Sequence, residues 1–292
     1  MRRSLICCAL AAFAFAGCAD SAPGAAPAPE AAPAAEAETA APGAHDDALR
    51  AVVAGQWRTP EFVARDRYRN PLETLAFFGV APGDTVIEIT PGGGWYTEIL
   101  APYLRESGTY AGAVVDPAKA AERARDYQTR ARDQLRAKLG GEPAGVYDRA
   151  TVVEYDPAAP EFGAPGSADV VLTFRNVHNW RGSGQAAGMF EGFFKVLRSG
   201  GTLGVVEHRA DADVADDDRS GYVSEAQVIA LAEAAGFRLD AKSEINANPK
   251  DTKDHPNGVW TLPPGNNHEE ADREKYQAIG ESDRMTLRFV KP

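Results

Sequence analysis

The chain has 292 residues, of which 44% are hydrophobic, enough apolar surface for one large α/β domain or two small ones. Its formal charge of -11 at pH 7, with no long Lys/Arg block, repels polyanions and argues against a nucleic-acid partner. The densest basic stretch, 123–138, interleaves Arg125, Arg130, Arg132 and Arg136 with Asp126 and Asp133, as a solvated helix face does.

The first residues read as an address. Arg2 and Arg3 precede an apolar run over 5–16, too short to span a bilayer and ending in small residues, so 1–17 is expected to be a cleaved signal peptide. Phe15-Ala16-Gly17-Cys18 resembles the bacterial lipobox. That resemblance implies lipid attachment at Cys18 and residence as a lipoprotein on the periplasmic side of a bacterial membrane, which the chain touches only through this anchor. Cleavage at a nearby Ala would instead give a free periplasmic or secreted protein. Cys7 and Cys8 leave with the leader, so neither an intrachain disulfide nor a thiolate metal site is expected. Residues 18–45 are rich in Ala, Pro and Glu with almost no large apolar side chains, which predicts a disordered tether.

From 46 to 292 apolar runs alternate with helical periodicity. Strands are predicted over 85–90, 110–115, 151–155, 169–174 and 202–207, the last after the turn Ser199-Gly200-Gly201. Helices are predicted through Ile99 and Leu104, from Pro117 onward and over 189–197. Another starts from the capping box of Ser224 and Gln227 and stops at Gly236. Alternating strands and helices predict a doubly wound, mostly parallel α/β sheet with its ligand crevice at the carboxyl ends of the strands. The strict alternation of 285–289 predicts an antiparallel strand at the sheet edge.

Three strand ends carry candidate chemistry. Glu88-Ile89-Thr90-Pro91-Gly92-Gly93-Gly94 places glycines between a strand and a helix, where a ligand can approach the backbone and meet free amides. Asp116 closes the second strand, where an acid either accepts hydrogen bonds from ribose hydroxyls or caps the helix opened by Pro117. Asp156 and Asn176 follow the third and fourth strands and are placed to contact a ligand or simply to build turns. Glu88, Gly92 and Asp116 are expected to converge on one nucleoside-sized pocket. Tyr68 and Arg69 either fold over that pocket as a lid or bond to the following helix. The loop 246–264, with His255 and Trp260, is long enough to be functional, although a flexible connection is the plainer reading.

These residues resemble the motifs of the class I S-adenosylmethionine-dependent methyltransferases. Glu88-x-Thr90-Pro91-Gly92-Gly93-Gly94 is similar to their acidic-x-Gly-x-Gly-x-Gly motif, Asp116 to their ribose-binding acid and Asp156 to the acid beside adenine. The stretch from Asp169 through Asn176 to Trp180 resembles their fourth motif, and that from Leu197 to Glu207 their strand-five motif. The likeness spans about 65–292. It is greatest to a bacterial group of predicted, lipoprotein-type methyltransferases sharing Tyr68-Arg69-Asn70-Pro71 and Pro91-Gly92-Gly93-Gly94-Trp95-Tyr96. The resemblance implies a seven-stranded Rossmann-like sheet, S-adenosylmethionine as cofactor and a small-molecule acceptor. It also implies cofactor contacts from Tyr68, Glu88, Thr90, Gly92, Gly93, Gly94, Asp116, Asp156 and Asn176.

Thr90 stands where the family has glycine. A β-branched residue adopts positive φ at a cost, so the loop is expected to differ locally. His178 is the candidate general base, with a packed or capping role beside Asn179 and Trp180 as its alternative. The spacing of Asp211, Asp213, Asp216, Asp217 and Asp218 fails a calcium loop, and no His pair has zinc-enzyme spacing, so no metal is expected. Two other functions compete: a catalytically silent periplasmic binding or sensor module that kept the fold, and a nicotinamide-dependent oxidoreductase. The contiguous glycines argue against the second.

Overall fold

A computed structural model of the protein describes residues 44–141 and 143–292. The expected leader, Cys18 and the tether up to residue 43 lie outside the described residues. The described part opens with four short helices, α1 (Ala44–Val53), α2 (Pro60–Val63), α3 (Asp66–Arg69) and α4 (Pro71–Phe77), so helical structure starts just before the expected boundary at 46. Parallel strands follow, β1 (Thr85–Ile89), β2 (Thr109–Val115), β3 (Thr151–Tyr155), β4 (Ala168–Phe174) and β5 (Leu197–Ala210), with a two-residue β6 (Val223–Ser224). Between them run α5 (Thr97–Leu104), α6 (Glu122–Leu139), α7 (Val177–Gly182) and α8 (Ala186–Val196). The chain ends with α9 (Glu225–Ala234), β7 (Arg238–Ser243), α10 (Arg273–Ile279) and β8 (Arg284–Val290).

The sheet order is β3-β2-β1-β4-β5-β8-β7, with β6 pairing only the end of β5. The central strands are apolar on both faces because helices cover both faces. Val86, Val170 and Leu172 pack with α1, α4 and α5, whereas Ile87, Ile89 and Val171 pack with α8 and α9. Side chains alternate across a strand, so each central strand supplies both cores. The strand order reverses between β1 and β4, and the crevice at their carboxyl ends is where this architecture takes ligands.

Two elements differ from expectation. The last strand is not at the edge: β8 lies between β5 and β7, antiparallel to both, and β7 is the edge. Met285, Leu287 and Phe289 fill one core while Thr286, on the opposite face, bonds Asn246 Nδ2 at 3.0 Å, so both faces are buried as an interior strand requires. Pro117 does not open the long helix either. Asp116 closes a single turn by accepting from Ala118 N with its side chain and from Lys119 and Ala120 N with its carbonyl. Ala121, at ψ 142°, then breaks the path, and α6 starts at Glu122.

The N-terminal helices are pinned above the sheet by one buried acid. Glu98 on α5 accepts from Thr59 N at 2.8 Å, Thr59 Oγ1 at 2.6 Å and Lys138 Nζ at 2.6 Å, and its carbonyl takes Trp57 Nε1. This anchoring carries Arg65 and Arg69 over the carboxyl end of β1. The sequence also marks α9 correctly: Ser224 Oγ accepts from Gln227 N at 3.1 Å, and Gln227 Oε1 accepts from Ser224 N at 3.3 Å. Ser224→Ala is expected to cost about 1 kcal/mol through loss of this cap, read as a lowered urea midpoint with unchanged slope.

Candidate active site

The turn after β1 keeps a glycine-like path although its first position is threonine. Thr90 has φ 52°, with its N donating to Ala113 O at 2.8 Å, which continues the β1–β2 pairing one residue beyond the strand. The expected local departure of the loop is therefore replaced by strain at Thr90, of order 1–3 kcal/mol for a left-handed non-glycine residue. Thr90 Oγ1 lies 3.3 Å from Tyr155 Oη. Gly94, at φ 82°, takes a left-handed conformation that favours glycine. A Cβ on Gly92 would meet nothing within 4 Å, so the backbone there is open to a ligand.

Beneath this turn Glu88 is buried, accepting from Tyr110 Oη at 2.6 Å and Thr97 Oγ1 at 3.1 Å. Burial pushes its carboxyl up to about 7, and the two hydrogen bonds offset only part of that rise. The group changes charge near neutrality and favours ionisation whenever a cation arrives.

The turn opens into a cavity of about 470 Å³ at the carboxyl ends of β1, β4 and β5, within the roughly 300–1,000 Å³ typical of small-molecule sites. Phe62, Trp95 and Trp260 supply apolar wall; Arg65, Arg69 and Arg175 supply positive charge. Arg65, the residue before α3, and Arg69 at its end are one turn apart and share Glu281, at 2.6 and 3.4 Å.

On the β4 side, Glu207 at the end of β5 is fully buried and accepts from Val177 N at 2.6 Å, His178 N at 3.3 Å and His208 N at 2.8 Å. It also holds His178 Nδ1 at 3.0 Å. Assigning the Nδ1 proton to this contact leaves His178 Nε2 as a lone-pair acceptor in a cavity-lining ring. His208, also on the cavity, stays neutral because burial, and then the electrostatics of the neighbouring His178 ring and Arg175, hold it well below its ordinary range. Donor atoms of His178, Glu207 and His208 fall within 4.8 Å of one another, a grouping that searching for paired histidines along the sequence does not find. Glu207 has both oxygens engaged by N–H donors, and Arg175 adds positive charge nearby, so the trio reads as a carboxylate–imidazole pair with a neutral neighbour.

Of the residues expected at the site, Glu88, Thr90, Gly92, Gly93, Asn176 and His178 line this cavity. Asn176 Nδ2 donates to Ile89 O at 3.0 Å and to Thr173 Oγ1 at 3.2 Å, bracing β1 against β4. Gly94 lies behind the turn and does not line it. Tyr68 does not line it either: α3 turns its ring onto Gly280, where a Cβ would come within 2.6 Å, and its neighbours Arg65 and Arg69 take the cavity face instead. Asp116 and Asp156 also fall outside the lining. Thr90 is bonded to the end of β2 and Pro91 lies over Gly112, so the turn folds across that strand and the enclosed volume stops short of both acids. Each accepts a local backbone N–H, from Ala118 at 2.8 Å and Ala158 at 2.9 Å, as turn-forming aspartates do.

The loop 246–264 is an ordered wall rather than a slack connection. Asp251 accepts from Tyr222 Oη, Lys253 N, His255 Nε2 and Asp283 N, and Trp260 stands edge-on to His178 with centroids 5.9 Å apart. His255 is thus a structural residue. Sequence reasoning missed Arg65, Arg175, Glu207, His208 and Glu281 as site residues. Only the proximity of Arg65 to Tyr68-Arg69 and of Arg175 to Asn176 hinted at two of them.

No protein-family model matches the chain, and no curated relative matches it either. Among solved structures it is similar to the [4+2]-cyclase SpnF, at 15% identity over 82% of this chain and 85% of that one, with a TM-score of 0.51. It is also similar to a SAM-dependent methyltransferase from Aquifex aeolicus, at 15% identity over 85% and 98% of the two chains and a TM-score of 0.49. A third is the glycopeptide N-methyltransferase MtfA with S-adenosyl-L-homocysteine, at 15% identity over 86% and 98%, TM-score 0.48. At such identity the likeness establishes the fold alone: a Rossmann-like sheet, mostly parallel, with its last strand antiparallel.

Glu88 gives a pH prediction. Its folded value of about 7 exceeds its ordinary 4.5, so its stabilising contribution is complete below pH 4.5 and is lost as pH rises through 7. Glu88→Gln keeps the acceptor oxygen without the charge. It should match the parent at pH 4.5 and exceed it at pH 8.5 by up to about 3 kcal/mol in urea unfolding.

Proposed function

We propose that this protein is an S-adenosylmethionine-dependent methyltransferase of the class I type, acting on a small-molecule acceptor outside the cytoplasm. The observation that carries the reading is that the open glycine turn after β1 and His178, which follows β4 and is held by Glu207 of β5, face one cavity.

The residues fit the cofactor in kind. The exposed backbone of Gly92 and Gly93 admits a ligand against the chain, and Glu88, lacking a cationic partner, gains its charge when an ammonium is placed beside it. The side-chain oxygen Oδ1 of Asn176 accepts no hydrogen bond among the described residues and completes a polar rim. Asp116 and Asp156 stand at the next two strand ends beyond the enclosed volume, where they would meet the ribose and base of a nucleoside lying along the sheet edge.

When bound, S-adenosylmethionine supplies an electrophilic methyl group on a sulfonium. The protein's part is to align the acceptor, exclude water and remove a proton. His178 Nε2 takes the proton from the acceptor's nucleophile, and Glu207 stabilises the imidazolium that results while fixing the ring's orientation. Trp260 shields this atom pair from bulk water.

Export and lipidation of Cys18 complete the proposal, resting on the basic leader, its apolar run and the Phe15-Ala16-Gly17-Cys18 sequence. Cys18→Ser should release the protein from the bacterial membrane fraction, and retention there would remove the lipid anchor.

Calorimetric titration of the full-length chain with S-adenosylhomocysteine is expected to show one site. Asp116→Ala should weaken it at least tenfold, about 1.4 kcal/mol. A flat titration of the parent sinks the methyl-transfer reading; an unchanged constant in the variant removes Asp116 from the cofactor site. With an acceptor supplied, His178→Gln should lower kcat by roughly 10²–10⁴-fold, the span of a general base.

A further inference from the structure

The cavity is cationic although the protein is acidic. Arg65, Arg69 and Arg175 line it, and Arg284 stands behind Arg69 and Arg175. One carboxylate is placed among them. Glu281 takes Arg65 Nε at 2.6 Å, Arg69 Nε at 3.4 Å and Arg284 Nη1 at 3.2 Å. Burial alone would raise the Glu281 carboxyl, but the Arg284, Arg69 and Arg65 charges override it and hold the group at about 2. Its charge is fully committed to those three.

Arg175 has no such partner. Among the described residues its guanidinium makes no hydrogen bond and no ion pair, and one terminal nitrogen of Arg65, Nη2, is buried without an acceptor. Burial, then the Arg284 charge, pulls Arg175 down to about 10, with Glu281 opposing, so it is still a cation at neutral pH. Its backbone is held at φ 63° by Arg175 N donating to Val206 O at 2.7 Å, a strained conformation at the end of β4 and three residues from His178. Arg175 is half-buried and lines the cavity, so its unpartnered donors can meet a ligand there, and a guanidinium presents them in a fork matched to planar or tetrahedral oxyanions. The remaining acids do not answer it. Glu88 sits near its midpoint at neutral pH, and Glu207 is saturated by N–H donors.

We propose that Arg175, assisted by the free nitrogen of Arg65, forms an anion subsite that holds a carboxylate or phosphate monoester of the methyl acceptor beside His178. The acceptor is thus a small organic anion, its apolar part against Phe62, Trp95 and Trp260. This inference rests on the methyl-transfer reading above.

The test is a titration of the full-length chain, saturated with S-adenosylhomocysteine, against 4-hydroxybenzoate, phenyl phosphate and the uncharged 4-hydroxybenzamide. At least one anion should bind tenfold or more tightly than the amide, and the tighter of the two distinguishes carboxylate from phosphate recognition. Arg175→Met should lose about tenfold for that anion while leaving the amide and S-adenosylhomocysteine unchanged. It should keep the parent melting temperature, because the half-buried guanidinium makes no hydrogen bond or ion pair whose loss would weaken the fold. Equal binding of anions and amide, or an anion constant unmoved in Arg175→Met, overturns the subsite. Loss of anion binding whenever S-adenosylhomocysteine is present also overturns it, since the arginines then serve the cofactor's own carboxylate. If S-adenosylhomocysteine does not bind at all, the methyl-transfer reading falls; Arg175-dependent anion binding by the free protein would then keep the subsite without assigning it to an acceptor.

Discussion

The site depends on one fully buried carboxylate. Glu207, at the end of β5, is a charge in the interior that is tolerated because backbone N–H groups of Val177, His178 and His208 and the His178 ring all donate to it. In satisfying itself it fixes the start of α7, the distance between the ends of β4 and β5, and the tautomer of His178. An apolar residue would leave two α7 amides unpaired and the imidazole free to turn. The geometry of this side of the cavity and its local stability are therefore the same set of hydrogen bonds.

Around this centre the charges are segregated. Acidic side chains give the chain its net charge of -11, with the run at 211–218 exposed apart from Val214, whereas the arginines gather inside around Glu281. Low dielectric makes that interior cluster far stronger per charge than the surface acids, which salt screens. An anion entering the cavity therefore meets a local field opposite to that suggested by the overall charge, and composition alone misjudges what the pocket attracts.

Strain falls at the same place. Thr90 and Arg175, the residues immediately after β1 and β4, both hold positive φ without being glycine, at 52° and 63°. Each is locked by a strong backbone bond to the neighbouring strand, to Ala113 and Val206. The two strands thus end together on left-handed residues, which turn the following Gly92–Gly93 backbone and the Asn176–His178 segment toward the same volume. Thr90 holds this geometry without glycine's freedom, at a cost to the folding free energy.

The amino-acid pattern by itself determined β1 to β5 and β8, the capping box at Ser224, the glycine turn, and Glu88, Asn176 and His178 as residues near the ligand crevice, but not the edge strand β7. Those features are written in local rules: alternation of apolar residues, short-range turn chemistry and the placement of polar residues after strands. Only the tertiary structure decided that β8 is interior, that Tyr68, Gly94, Asp116 and Asp156 lie off the enclosed cavity, and that Arg65, Arg175, Glu207, His208 and Glu281 belong to the site. Glu207 and His178 are separated by 29 residues, and Arg65 and Glu281 by 216. No periodicity or spacing rule spans such intervals, because the partners are brought together by strand order and helix docking, and their charges acquire meaning only once the surrounding water is gone.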